Sequence, residues 1–496
     1  MDVVYVVAPL LLIAIVLAAV WLERWSVPVI LVALGAGIVF GSDVLGLWHF
    51  DDMQLTNQVA NLALVFILFQ GGYSTRRVDF RAVALPAGGL ATWGVVLTAL
   101  GSFAVLYGVL GWNMQLALLL SVIISSTDAA AIFSILRRQA LPRKLSSTIE
   151  IESAANDPMA VLLTVAAMEA ITSQAGTSVL GTVALFAWKF TAAPVVGWLM
   201  ARGALLLFNR IKPQDRGQYY VLSLGVMMLV YGVTEMINAS GMLAVFITGF
   251  MMGNSAFVYK QGVTNFSSAL SSIANICMFA LLGLQVFPHQ FSDIWWQGAV
   301  LFLVLTFIAR PFAVWLGTLG MGINWREKIF ISWAGLRGSV PIVLATYPAA
   351  AGLAIGQEVF NLVFFGVLLS IALQGSTLGP LARLLKLTTP QRPSPLFNLE
   401  LVSMAESDYD LAVVDLPGPA GSVGPTIAEL HLPEGAIIVL ITRGKDILIP
   451  KGSTRLQGWD QVTVLAHARD LDMVMSALER SVFVEPDPDS ALLAKL

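Results

Sequence analysis

Apolar runs of bilayer-crossing length follow one another along most of the chain, separated only by short polar or Gly/Pro breaks. A helix needs roughly 20 consecutive apolar residues to cross the hydrocarbon core of a membrane. Lipid also forces every backbone polar group to find a partner inside its own segment, which leaves helices as the natural spanning element for such runs. Read this way, the spans fall at 3–22, 27–41, 57–73, 82–110, 114–136, 146–172, 178–208, 217–237, 240–258, 264–287, 293–321, 327–352 and 359–386. The expected fold class is therefore a polytopic α-helical membrane protein with about thirteen helices. Composition agrees: 57% of residues are hydrophobic and 12% are charged, against roughly 25% charged in a soluble domain. That difference excludes an ordinary soluble enzyme. The first span has no basic leader and no evident cleavage site, so it reads as a retained helix.

Basic residues test the count and orient it. Arg24, then Arg76, Arg77 and Arg81, then Arg137, Arg138, Arg143 and Lys144 lie in the first, third and fifth connections. Arg202, Arg210, Lys212 and Arg216 occupy the seventh, Lys260 the ninth, and Arg326 with Lys328 the eleventh. The even-numbered connections hold no Lys or Arg, only acidic residues such as Asp43, Asp51, Asp52, Asp293 and Glu358. The positive-inside rule places the odd connections and the C-terminus in the cytoplasm and the N-terminus outside. A missed span would have scrambled this alternation.

After Lys386 the pattern changes. Residues 1–387 form the membrane domain, 388–399 a proline-bearing linker, 400–482 a small soluble domain and 483–496 an acidic tail. Strands are expected at 411–416, 436–442, 447–449 and 461–466, a short helix at 426–430 and a terminal helix at 470–479. The turn Arg443-Gly444-Lys445-Asp446 carries the glycine that a tight hairpin requires.

Ionisable groups inside a membrane cost about 2.5–3.5 kcal/mol each on insertion scales, so each needs a reason. The fifth span contains Ser125-Ser126-Thr127-Asp128 followed by three alanines. Hydroxyls, a carboxylate and small residues suit an unwound segment whose oxygens replace the hydration shell of a hard monovalent cation. Asp128 could instead cap a broken helix. In the sixth span Ser153, Asn156 and Asp157 fall at i, i+3 and i+4 and share a helix face, with Glu150 and Glu152 upstream and Pro158 next. In the twelfth, Arg337 sits between Gly335 and Gly338 ahead of Pro341, and Glu152 is its candidate partner in a structural ion pair. Asp157 has no base near it on its helix. Desolvation disfavours a bare carboxylate, so this residue is expected to hold a proton or a cation.

Weaker features surround these. Arg310, before Pro311, could bond freed carbonyls, while Lys189 could snorkel or lie at an interface. Gly37 with Gly41, and Gly249 with Gly253, have the spacing of close helix contacts. The lone Cys277 excludes an intrachain disulfide, and the scattered His49, His289, His431 and His467 make a histidine metal cluster an unsuitable reading. No nucleic-acid partner is expected.

At Thr127-Asp128, at Glu152-Ser153-Ala154-Ala155-Asn156-Asp157 and at Gly335-Leu336-Arg337-Gly338 the chain resembles the first monovalent cation/proton antiporter family, specifically its bacterial NhaP-type branch. The soluble domain resembles the TrkA-C module, through residues 426–432, the hairpin at Gly444, Ile449-Pro450-Lys451-Gly452 and Gly458-Trp459-Asp460. The combination resembles the potassium/proton subgroup. The resemblance implies two six-helix inverted repeats, crossed broken helices, a homodimer in lipid and a bacterial inner-membrane location, with a role in pH and volume homeostasis. It implies exchange of K⁺, or Na⁺, for H⁺ at Asp157, Ser153, Asp128 and the Thr127 carbonyl. Asn156 beside Asp157 resembles the electroneutral branch, Glu152 with Arg337 the family's ion pair, and Arg310 and Ser126 are supporting candidates. No catalytic group or cofactor is expected beyond the transported ions, apart from a small-molecule regulator of the soluble domain, for instance a nucleotide. A gated channel shares the carboxylates and the tail, but no filter-like loop is present. A carrier of organic solutes would need a larger pocket.

Overall fold

The computed structural model describes residues 2–22, 27–48, 50, 52–128, 132, 141–172, 179–211, 213, 215–388, 409–417, 422–430, 432–444, 446–467 and 470–479. Several sequence expectations lie outside these: Arg24, Asp51, the alanines 129–131, Arg137, Arg138, Lys212, His49, His431, Lys445, most of the linker and the whole tail. The chain divides into two compact units, one helical and one carrying the strands.

Among the described residues nine helices are long and apolar enough to cross a membrane. They are α1 (Asp2–Leu22), α3 (Met53–Ser74), α4 (Phe80–Val109), α6 (Arg143–Thr172), α7 (Val179–Arg210), α8 (Gly217–Met236), α10 (Lys260–Leu284), α11 (Pro288–Gly317) and α14 (Gly356–Leu384). Four shorter apolar helices accompany them: α2 (Val29–Phe40), α5 (Met114–Ile123), α9 (Gly241–Gly253) and α13 (Ser339–Ala350). α12 (Trp325–Trp333) precedes α13.

Local chemistry starts and stops these elements. Asn113 accepts from the backbone N–H of Gln115 at 2.8 Å and caps α5, and Asn324 with Glu327 forms a reciprocal capping box on α12. α4, α11 and α14 each pass through π turns, at Leu90–Gly94 and Ala104–Val109, at Leu305–Ala309 and at Ser370–Gln374. Such turns insert a residue into the helical repeat and rotate the face that follows.

Glycines set the closest helix approaches. A methyl group on Gly249 or Gly253 of α9 would overlap the carbonyl oxygens of Phe69 and Tyr73 on α3. Gly72 meets Phe246 in the same way from the other side. Gly37 of α2 lies equally close to Ala280 and Gly283 of α10. Gly41, the second member of that pair, instead contacts chiefly its own preceding turn. Without a hydrophobic driving force between helices in lipid, backbone contacts of this kind carry the packing.

The strand-bearing C-terminal part has a four-stranded antiparallel sheet of order β1-β6-β3-β4, built from β1 (Tyr409–Asp415), β3 (Ile437–Arg443), β4 (Asp446–Leu448) and β6 (Gln461–His467). β2 (Val423–Thr426) and β5 (Arg455–Gln457), not anticipated from sequence, pair separately. α15 (Leu471–Glu479) places Val474 and Leu478 in a core with Ile441, Leu456, Val462 and Val464. Gly444 takes φ +60° in the β3–β4 hairpin, the left-handed conformation that glycine adopts without strain. Arg443 donates from Nε and Nη2 to the two carboxylate oxygens of Asp460, at 2.8 and 2.7 Å, and ties the hairpin to the start of β6.

Candidate functional site: a cavity between two broken helices

The site forms where two helical paths stop inside the bundle. α5 ends at Ile123, Ile124 and Ser125 make a last turn onto Leu120 and Val122, and residues 126–128 continue outside the helix. The second path ends at Trp333 and resumes at Ser339. The two gaps lie side by side, because the Asp128 N–H donates to the Leu336 carbonyl at 2.8 Å.

Freed polar groups in both gaps are met by side chains. Arg337 is fully buried, and its Nη1 donates to the carbonyl of Ser125 at 2.8 Å and to that of Ser126. A guanidinium therefore satisfies carbonyls of the unwound stretch just beyond the negative end of α5. The Arg337 N–H donates to Ser370 Oγ at 3.2 Å, and Gln374 Nε2 donates to the Trp333 carbonyl at 3.2 Å. Ser370 and Gln374 lie in the π turn of α14. Nothing in their local sequence marked them. Asp128 lies at the opposite pole: its carboxylate occupies the space where a side chain at residue 338 would begin, just before α13. That explains Gly338.

The expected Glu152–Arg337 contact is not the one observed. Glu152 Oε1 pairs with Arg310 Nη2 at 2.6 Å, with side chains 2% and 4% exposed respectively. Arg310 and Arg337 thus exchange the parts read for them in the sequence. Arg310 is the ion-pair partner, and Arg337 takes the freed carbonyls. Gly335 leaves room for this, since a methyl group there would run into the Arg310 side chain.

α6 supplies the next wall. Thr127 Oγ1 and Ser153 Oγ lie 2.9 Å apart, and Asn156 Nδ2 donates to Thr127 Oγ1 at 2.7 Å. Hydroxyls and an amide thereby hold the unwound end of α5 against α6. A cavity of about 220 Å³ opens here, walled by Thr127, Asp128, Ser153 and Asp157. Asn156 is fully buried and stands behind that wall. Asp157 Oδ1 is buried, with no hydrogen-bond partner. The cavity reaches Ser74 and Thr75 at the last turn of α3 and Glu150 near the start of α6.

Near the other end of α3, Asn57 Nδ2 donates to Thr346 Oγ1 at 2.9 Å, Asn61 Nδ2 to Asn57 Oδ1 at 2.9 Å, and the Tyr347 hydroxyl to Asn61 Oδ1 at 2.5 Å. Two turns of α3 are so clasped by two consecutive residues of α13. Lys189, read as a base that snorkels or sits at an interface, pairs with Glu169 at 3.1 Å. Among the described residues no cluster of three or more His, Cys, Asp or Glu suited to a bound metal occurs.

Residues 10–384 match the sequence profile of the transmembrane sodium/hydrogen exchanger family, and residues 411–479 match that of the TrkA-C domain. The chain is 35% identical over 467 residues to the K(+)/H(+) antiporter NhaP2 of Shewanella sp. (strain ANA-3), spanning 92% of this chain and 80% of that protein. It is 33% identical to the K(+)/H(+) antiporter NhaP of Alkalimonas amylolytica, over 95% of this chain and 82% of the relative. It is 28% identical to the Na(+)/H(+) antiporter NhaP of Pseudomonas aeruginosa, over 64% of this chain and 78% of that protein. The solved sodium proton antiporter MjNhaP1 from Methanocaldococcus jannaschii shares the fold, with a TM-score of 0.67, 23% identity, and coverage of 77% of this chain and 99% of that one.

Proposed function

The chain belongs to the sodium/hydrogen exchanger family of multi-pass membrane transporters, and from that premise we propose that it exchanges K⁺ for H⁺ at Asp157. The observation that carries this reading is the buried, unpartnered Asp157 oxygen at a small cavity between two broken helices. Desolvation makes a bare carboxylate there costly, so the group holds either a proton or a cation. Thr127, Ser153 and Asp128 supply further oxygens, with Asn156 holding Thr127 and Arg337 holding the carbonyl of Ser126. K⁺ is favoured over Na⁺ by the two relatives named for K⁺ that span most of the chain. Na⁺ is the alternative, supported by the Pseudomonas relative.

Only a loaded site crosses, and the bundle around α6 rocks to expose it to each side in turn. With one proton exchanged for one cation, no net charge moves. A tenfold proton gradient then supplies about 1.4 kcal/mol towards cation movement. The basic connections near Arg76 and Lys144 favour a cytoplasmic position for the cavity end at Ser74 and Glu150, which makes this an inward-facing state. The Asn57–Asn61–Tyr347–Thr346 clasp closes the opposite side. Thirteen spans in two inverted repeats, with the N-terminus periplasmic, the C-terminus cytoplasmic and a homodimer in a bacterial inner membrane, complete the reading. Four short apolar helices beside the nine long ones support that count.

The division taken is 1–387 for exchange, 388–399 for the linker, 400–482 for regulation by a small molecule, a nucleotide first among those to test, and 483–496 for the tail. Truncation after Leu387 is expected to shift the pH and cation dependence of transport while leaving exchange itself intact. Unchanged dependence in the truncated protein would remove the regulatory role.

The test of exchange is dequenching of a pH-sensitive dye in proteoliposomes on adding K⁺, then Na⁺. A proton flux on addition, greater for K⁺, is expected. Flux with Na⁺ alone would assign the other cation. Absence of flux with both would end the antiport reading for this protein.

A further inference from the structure

Asn275 lies on α10, outside every motif discussed so far. It faces the Asp157 cavity, and its Oδ1 is buried with no hydrogen-bond partner. Both residues line one cavity of about 220 Å³, and each carries a buried oxygen without a hydrogen-bond partner, Asp157 Oδ1 and Asn275 Oδ1. A buried acceptor left unpaired costs about 1–3 kcal/mol, so an amide in this position needs a partner that comes and goes.

The two residues belong to different packing blocks. α10 is fastened to α2 through Gly283 and Gly37, and to α3 through Gln285 Nε2, which donates to Thr56 Oγ1 at 2.8 Å. Ser267 of α10 also donates to Gln70 of α3, at 2.7 Å. Asp157 is tied instead to the broken segments, through the Thr127 contacts of Ser153 and Asn156 on its own helix. The walls of the cavity thus come from two blocks, joined in this state by the clasp of Asn57 and Asn61 of α3 on Thr346 and Tyr347 of α13.

We propose that Asn275 is a ligand of the transported cation, donating its amide oxygen across the cavity from the α2–α3–α10 block to an ion held at Asp157. This deepens the exchange reading above and rests on it. A large monovalent ion such as K⁺ is stripped of water only when many weak oxygen ligands surround it, and neutral amides supply such oxygens without competing for the proton. The charge of the site stays with Asp157, so protonation still expels the ion. A ligand from the second block is also left behind when α6 moves, which makes the cation affinity differ between the two access states. Asn275 is in this sense a specificity-determining residue.

The experiment pairs binding with transport. K⁺ and Na⁺ titrations of the purified full-length protein, read as thermal stabilisation, are compared for wild type, Asn275→Ala, Asn275→Gln and Asp157→Asn. The same proteins are assayed in proteoliposomes for the half-saturating concentration of each cation. Asn275→Ala is expected to raise half-saturation for K⁺ about tenfold in both assays, more than for Na⁺, with maximal exchange retained. Asn275→Gln is expected to recover part of the affinity, and Asp157→Asn to lose the cation response altogether. Unchanged half-saturation in Asn275→Ala overturns the proposal, as does a loss of maximal rate at unaltered half-saturation, the signature of damaged packing alone. Failure of Asp157→Asn to lose the cation response would strike the exchange reading itself, separately from Asn275.

Discussion

Asp157→Asn is expected to abolish cation-driven proton flux, by at least about a hundredfold, the scale on which removal of an essential proton-transferring group acts. The substitution is nearly isosteric and leaves Thr127, Ser153 and the Arg337 contacts with α5 untouched. Folding should survive, because the Oδ1 that changes had no partner to lose. Removing its charge even lightens the burden of burying a carboxylate. Three measurements separate the outcomes: dye dequenching in proteoliposomes, size-exclusion profile and thermal midpoint in detergent. Loss of flux with an unaltered or raised midpoint is the expected combination. Retained flux would mean that another group carries the proton, and Asp128 or Glu150 on the same cavity would be next to examine. A cation current that persists without proton coupling would instead favour a channel.

How much of this could be read in the chain itself differs between its parts. Apolar run length placed the nine long helices within a few residues, since backbone satisfaction in lipid leaves little else to form. Both interruptions had local marks as well. Hydroxyls before Asp128, and glycines around Arg337, are unsuited to an unbroken apolar helix. The partner of Glu152 was beyond reach, because two buried arginines were available and linear spacing says nothing about which one a folded bundle delivers. In retrospect Gly335 carries a trace of the answer, being the residue whose missing side chain admits Arg310. Ser370 and Gln374 were invisible for another reason. A five-residue π turn changes the helical period too briefly to register in an apolar pattern. Asn275 sits among serines and a further asparagine on α10, where one amide does not stand out until the cavity is seen. In the strand-bearing C-terminal part β2 and β5 are four and three residues long, below the length at which alternation becomes a signal.

The exchange of roles between the two arginines leads to the second large effect, which is on stability. Glu152→Ala is expected to destabilise the membrane domain by roughly 3–5 kcal/mol, since it strands a buried guanidinium without its counter-charge. At 4% exposure the Arg310 side chain cannot recover that loss from water. Neutralising the stranded base should restore most of the stability, so the choice of base becomes diagnostic. Glu152→Ala with Arg310→Met removes both members of the observed pair and is expected to regain most of the lost thermal midpoint. Glu152→Ala with Arg337→Met is expected to fare worse than the single substitution, because it also uncaps the Ser125 and Ser126 carbonyls at the end of α5. Rescue by Arg337→Met and not by Arg310→Met would restore the pairing read from sequence and overturn the one observed here. Neither double variant touches Asp157, so flux per folded molecule reports a separate property. It should persist in the Arg310 double variant if the ion pair serves only to hold α6 against α11, and fall if that pair also sets the position of the cation site.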